Sequence, residues 1–168
     1  MAKRAPIVGV VVGSDSDLAV MQRCLKQLDE LGIPYEVRVI SAHRTPAAAD
    51  RYASGAIKRG LKVIIAAAGM SAALSGVLAA RTTLPVIGVP MASGPLAGTD
   101  AVLSMLQMPS GVPVGCMSVG EAGAANAAIY AAEIIATSDA KLAARLSQFK
   151  KAQARKVNQK DSALRRKG

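Results

Sequence analysis

Residues 7–17 read Ile7-Val8-Gly9-Val10-Val11-Val12-Gly13-Ser14-Asp15-Ser16-Asp17, an apolar run of strand length that stops at a glycine and opens into small polar residues. The run is too short for a core helix and is rich in the β-branched residues that strands favour. The stretch after it, 16–31, has helical patterning, and Gly32 stands just past its end, where a left-handed C-terminal cap belongs. Strand, polar loop and helix in that order form the unit of a parallel sheet, because parallel strands need a crossover connection.

The unit recurs along the chain. Further strands are expected at 35–40, 63–67, 85–89 and 112–118, and further helices at 46–59, 71–81, 99–107, 121–137 and 139–155. Thr45-Pro46 opens the second helix with a capping hydroxyl followed by proline at the first helical position, and Gly60 closes it. Five strands joined by helices predict a single α/β domain with a doubly wound parallel sheet of order 2-1-3-4-5. Ligands of such sheets collect at the carboxyl ends of the strands. The loops at 13–17, 41–45, 68–71 and 91–98 fall on that edge, and all are small and polar.

A chain of 168 residues with 51% hydrophobic content has ample material for one core, built from Val, Ile, Leu, Met and Ala because aromatic residues make up only 2%. The net charge of +10 suggests nucleic acid until its distribution is read. Residues 1–140 carry eleven Lys/Arg against ten Asp/Glu, whereas 141–168 carry ten Lys/Arg and only Asp161. The basicity therefore belongs to the end of the chain, which divides into a body expected to hold the functional site, 1–150, and a basic tail, 151–168. The tail lacks the interleaved aromatics that stack bases, so no nucleic-acid partner is expected. Leu142, Leu146 and Phe149 at helical spacing predict that the start of the last helix packs on something.

Other classes are set aside on similar grounds. Cys24 and Cys116 form no C-x-x-C pair and only one histidine is present, so neither a metal nor a disulfide is expected. The basic start, Met1 to Arg4, precedes an apolar run too short for a signal peptide. Residues 63–80 and 82–99 carry no charge, but Gly69-Met70-Ser71 interrupts the first and Pro85, Pro90 and Pro95 the second. They read as buried strands with their loops rather than membrane spans, which makes the protein cytoplasmic. The Ala- and Gly-rich face of 121–137 is expected to be a subunit interface.

Two loops hold the candidate chemistry. The first, with Ser14 and Ser16 beside a helix start, offers hydroxyls and backbone N–H groups to a phosphate, and Asp17 could accept hydrogen bonds from ribose hydroxyls. A plain capping role for Ser16 or Asp17 accounts for that loop equally well. The second carries His43, the only histidine, beside Arg44. An imidazole titrating near neutrality can take and return a proton, while a guanidinium grips phosphate or carboxylate through paired N–H bonds.

With these residues placed, Gly13-Ser14-Asp15-Ser16-Asp17, Ser41-Ala42-His43-Arg44-Thr45-Pro46, Leu84-Pro85-Val86-Ile87-Gly88-Val89-Pro90, Gln107-Met108-Pro109-Ser110-Gly111-Val112-Pro113-Val114-Gly115 and Gly123-Ala124-Ala125-Asn126-Ala127-Ala128 together resemble one family. It is the 5-(carboxyamino)imidazole ribonucleotide mutase and aminoimidazole ribonucleotide carboxylase family of purine biosynthesis, matched in order from about residue 6 to 150. The resemblance implies a three-layer, flavodoxin-like homo-octamer that makes 4-carboxy-5-aminoimidazole ribonucleotide without metal or organic cofactor. It implies substrate binding by Ser14, Asp17 and Arg44 and a catalytic role for His43, supporting the roles read from the residues themselves.

The loop after the third strand departs from the mutase branch, which resembles Gly-Gly-Ala-Ala-His-Leu-Pro-Gly where this chain has Gly69-Met70-Ser71-Ala72-Ala73-Leu74-Ser75-Gly76. Alanine replaces the histidine and serine the proline, as in part of the carboxylase branch. Residues Gly69, Ser71, Ala73, Ser75 and Gly76 are expected to line a carbon dioxide or carboxylate pocket, bounded by the loops at 68–76 and 93–98. On that ground the leading expectation is a carboxylase joining free carbon dioxide to C4 of aminoimidazole ribonucleotide. The N-carboxylated substrate of a mutase is the alternative, favoured by Arg44-Thr45-Pro46 and by the sequence from Leu84 to Ala132. A nucleotide-binding sensor, which would need Ser14, Asp17 and Arg44 but not His43, is the reading of another class.

Overall fold

The computed structural model describes residues 5–166; the basic start at 1–4 and the last two residues of the tail lie outside them. Five parallel strands, β1 (Val8–Val12), β2 (Tyr35–Val39), β3 (Val63–Gly69), β4 (Val86–Met91) and β5 (Gly115–Cys116), form one sheet in the order β2-β1-β3-β4-β5. Alternation along the central strands sends side chains to both faces. Val8, Val10, Val12, Val63, Ile65 and Ala67 enter one core, while Val11, Ile64, Ala66 and Ala68 enter the other.

Helices α1 (Leu18–Glu30) and α5 (Gly120–Ala136) cover the first face, and α2 (Pro46–Ser54), α3 (Leu74–Ala79) and α4 (Thr99–Leu106) cover the second. The three-layer α/β fold is therefore the one expected. Gly32 is left-handed at φ 65° just past α1, as a helix C-terminal cap requires. The helix expected at 46–59 ends at Ser54, and Gly60, left-handed at φ 88°, closes a separate 3-10 turn over Ile57–Arg59.

The last helix, α6 (Ala140–Arg165), opens on the Asp139 carboxylate, which accepts a hydrogen bond from Leu142 N–H at 3.0 Å. That bond leads the influences holding the Asp139 carboxyl below its ordinary range. Leu142 and Leu146 are buried in the first core and Phe149 is half-buried. The helix continues without a break through position 150 and runs to Arg165, well past the expected end near 155. Lys156, Gln159, Lys160, Ala163, Leu164 and Arg165, strong helix formers, make up most of that extension, and Asp161 pairs with Arg165 at 2.9 Å one turn on.

Four further expectations need correction. The strand at 112–118 shrinks to Gly115–Cys116, because Pro113 has no N–H to donate and Gly111 turns left-handed at φ 94°. The helix at 71–81 starts only at Leu74, since Met70 and Ala72 hold left-handed backbone at φ 55° and 27°. The Thr45 hydroxyl does not cap α2 but turns back to Ser41. Finally, the small-residue face of α5 is used within the protomer. Ala124, Ala127, Ala128, Ala131 and Ala132 are fully buried with Met21, Cys24 and Leu28 of α1, because short side chains let the two helices approach closely. No helix among the described residues is long and apolar enough to cross a membrane.

Candidate active site

The strand order reverses between β1 and β3, and a cleft of about 530 Å³ opens there at the carboxyl edge of the sheet. Its volume lies in the range of small-molecule sites, roughly 300–1,000 Å³. Three loops build most of it. Gly13, Ser14, Ser16 and Asp17 come from the first, Ser41, Ala42, His43 and Arg44 from the second, and 68–74 from the third, with Ser93 added by the loop after β4.

In the first loop, a short 3-10 turn over Asp15–Asp17 precedes α1. Ser14 Oγ accepts hydrogen bonds from Ser16 N–H at 3.4 Å and from the Ser16 hydroxyl at 3.0 Å, and donates to Asp15 at 3.2 Å. The two serines are thus held side by side at the cleft. Asp17 precedes α1 without a side-chain capping bond to it, and lines the cleft. Burial raises its carboxyl above the ordinary range, against a backbone hydrogen bond at Ser14 and with a further push from Asp15.

The second loop is closed by a ring of hydrogen bonds. Ser41 N–H donates to the Thr45 hydroxyl at 3.0 Å, that hydroxyl donates to the Ser41 carbonyl at 2.9 Å, and Thr45 N–H reaches the same carbonyl at 2.9 Å. Ser41 Oγ accepts from Arg44 N–H at 3.1 Å and from Arg44 Nε at 3.4 Å. His43 stands at the exposed tip, and no hydrogen bond from another described residue ties its ring. Backbone order is thereby combined with a ring left open to substrate, and the outer nitrogens of Arg44 remain available to an anion.

Of the residues expected around the carboxylate pocket, Gly69, Ser71 and Ala73 line the cleft and Ser75 and Gly76 do not. Ser75 is fully buried at the start of α3 with its hydroxyl unpartnered, and Gly76 faces Met108. Gly69 allows β3 to pass close to the neighbouring loop, because a Cβ there would collide with the Ser93 hydroxyl. The reading from sequence missed Ser41 as the anchor of Arg44, for which the hydroxyls flanking His43-Arg44 were a signal. Of the loop at 93–98 expected to bound the pocket, Ser93 lines the cleft. Cys24 is buried, which pushes its thiol up to about 12, and burial also raises the half-buried Cys116. Neither is suited to nucleophilic work.

Comparison with known proteins gives a consistent result. Residues 7–156 match the family described as AIR carboxylase. The N5-carboxyaminoimidazole ribonucleotide mutase of Bacillus subtilis is 50% identical over 159 residues, which cover 95% of this chain and 94% of that protein. The mutase of Mycobacterium tuberculosis is 50% identical over 165 residues, covering 98% and 94%. A crystal structure of Treponema denticola PurE superposes with a TM-score of 0.85 at 31% identity, covering 95% of this chain and 98% of that one.

Proposed function

The chain belongs to the AIR carboxylase family, and from that premise we propose that it is an N5-carboxyaminoimidazole ribonucleotide mutase, which moves a carboxylate from N5 to C4 of its substrate. The carboxylase expectation drawn from Ala73 and Ser75 is corrected by the mutases at 50% identity across nearly the whole chain. Part of the ground for it also falls away, since Ser75 lies outside the cleft. The chain is an enzyme, so the sensor reading is set aside with it.

What supports the mutase reading is the convergence of Ser14, Asp17, His43 and Arg44 on one cleft at the switch point of the sheet. Ser14, Ser16 and Arg44 bind the phosphate, and Asp17 accepts hydrogen bonds from the ribose. The chemistry is an isomerisation. The N5–carboxyl bond breaks with its electron pair left on nitrogen, which takes a proton and releases carbon dioxide. C4 of the resulting enamine then attacks that carbon dioxide, and the C4 proton leaves to restore the aromatic ring. One proton is given to N5 and one is taken from C4. A single imidazole that does both, His43, returns to its starting state after each turnover. Gly69, Ser71 and Ala73 form the wall beside the migrating carboxyl group.

The test supplies purified protein with the N-carboxylated nucleotide while carbon dioxide is trapped, and separately with aminoimidazole ribonucleotide and bicarbonate. Efficient formation of the C4 carboxylate in the first reaction is expected. Formation only in the second overturns the reading.

The same reading carries a cytoplasmic homo-octamer. Leu96, Leu103, Leu106 and Tyr130 expose apolar surface of the kind that assembly covers. Residues 151–168 are proposed as a tail outside the catalytic body. Truncation after Lys151 should leave kcat within about threefold of the full chain, the scale of an effect below 1 kcal/mol. Loss of turnover in a truncated protein of unchanged oligomeric state would assign the tail to the site.

A further inference from the structure

The hydroxyl of Thr45 is not where helix chemistry alone would put it. A threonine directly before a helix ordinarily turns its oxygen onto the N–H groups of the first turn. Thr45 occupies that place before α2 and makes no such bond, and its backbone, at φ −134° and ψ 53°, lies outside the extended region that capping residues favour. Proline accounts for the freedom. Pro46, at the first helical position, has no N–H to satisfy, and the N–H groups of Ala48 and Ala49 reach the Thr45 carbonyl at 3.0 and 3.2 Å.

Released from the helix, the hydroxyl spans the neighbouring loop. It accepts from Ser41 N–H at 3.0 Å and donates to the Ser41 carbonyl at 2.9 Å, so a single oxygen engages both backbone groups of one residue. Thr45 N–H closes on the same carbonyl at 2.9 Å. Only Ala42, His43 and Arg44 lie between the two ends of this clamp. Holding Ser41 also holds the Oγ that receives Arg44 N–H at 3.1 Å and Arg44 Nε at 3.4 Å.

Catalytic geometry demands a placement good to roughly 0.5 Å. The His43 ring has no hydrogen bond to another described residue, so it inherits its position from the backbone on either side. Thr45 is itself exposed, where water competes for its hydroxyl and the bonds add little to the stability of the fold. What they determine is the shape of the loop.

We infer that Thr45 is a positioning residue, whose hydroxyl closes the loop on Ser41 and thereby sets His43 for proton transfer and Arg44 for the substrate anion. This rests on the roles given to His43 and Arg44 in the mutase reading.

The experiment measures kcat and KM on the N-carboxylated nucleotide for the parent chain, Thr45→Val, Thr45→Ser and Thr45→Val combined with His43→Asn. Valine keeps the branched shape without the hydroxyl; serine restores the hydroxyl. Thr45→Val should lower kcat about tenfold and raise KM about threefold, less than the 10²-fold that a full 1 Å misplacement can cost. Thr45→Ser should return kcat to within about twofold of the parent. In the His43→Asn background valine should leave kcat within about twofold, because no imidazole remains to be misplaced, while the rise in KM persists through Arg44. The melting temperature of Thr45→Val should stay within about 4 °C of the parent, the scale of one exposed hydrogen bond. A hydroxyl that merely supports the fold would lower kcat by the same factor with or without His43, and that result overturns the inference. So does parental kcat in Thr45→Val, or a Thr45→Ser enzyme as impaired as the valine variant. A parent chain that makes no C4 carboxylate from this substrate instead overturns the mutase reading on which the inference rests.

Discussion

Replacing His43 by Asn is expected to lower kcat by about 10²- to 10⁴-fold, the contribution typical of a general acid–base group, while KM stays close to that of the parent enzyme. Asparagine is short and polar and fits the loop, but it cannot carry a proton from C4 to N5. The loop itself should persist, because its hydrogen bonds run among Ser41, Arg44 and Thr45 and none involves the imidazole. Arg44→Gln provides the contrast. Losing a charge-assisted contact to phosphate weakens ground-state and transition-state binding alike, so its effect falls on KM. Steady-state kinetics on the N-carboxylated nucleotide separates the two, and a His43→Asn enzyme with parental kcat would remove His43 from the chemistry.

The sequence carried the position of this loop plainly, and for a physical reason. Buried parallel strands must be apolar along their whole length, so β1, β3 and β4 stand out as uninterrupted runs, and the residue where each run stops is where the chain reaches the carboxyl edge. Gly13 and Met70 follow such stops closely, and Ser41 follows β2, an edge strand that alternates apolar residues with Glu36 and Arg38. β5 was less legible because it is a short edge strand beside a proline-rich approach, paired only at Gly115 and Cys116. Depth within the cleft was not legible at all. Ser71, Ala73 and Ser75 lie on one short stretch, and only the turn at Met70 and Ala72 sends the first two to the cleft and Ser75 into the core. The donor preference drawn from Ala73 and Ser75 together therefore leaned on a residue that does not face the substrate. The small-residue run of α5 was visible, but its partner was not, since α1 and a second subunit would ask for the same short side chains.

That partner makes Gly123→Ala the most informative stability test. Propensity alone predicts a gain, because alanine in a helix is better than glycine by about 1 kcal/mol. The packing predicts the opposite. A Cβ at Gly123 would collide with the carbonyl oxygen and carbon of Ser118, which are backbone atoms and cannot rotate away. The helix would have to move, yet Ala124, Ala127, Ala128, Ala131 and Ala132 are fully buried along its length and leave no slack against α1 and the sheet. The ion pair between Arg23 and Glu121, at 2.9 Å across the same two helices, is exposed on both sides and too weak to hold them in register. Overpacking at this point should cost about 3 kcal/mol. For a chain of this size that lowers the melting temperature by about 6–12 °C. Gly111→Ala is the companion variant. Gly111 is left-handed at φ 94° with nothing within 4 Å of an added Cβ, so it reports backbone strain without a collision and should cost only about 1–2 kcal/mol. A melting temperature raised in Gly123→Ala would mean that propensity outweighs packing and that α5 does not seat on Ser118 as described.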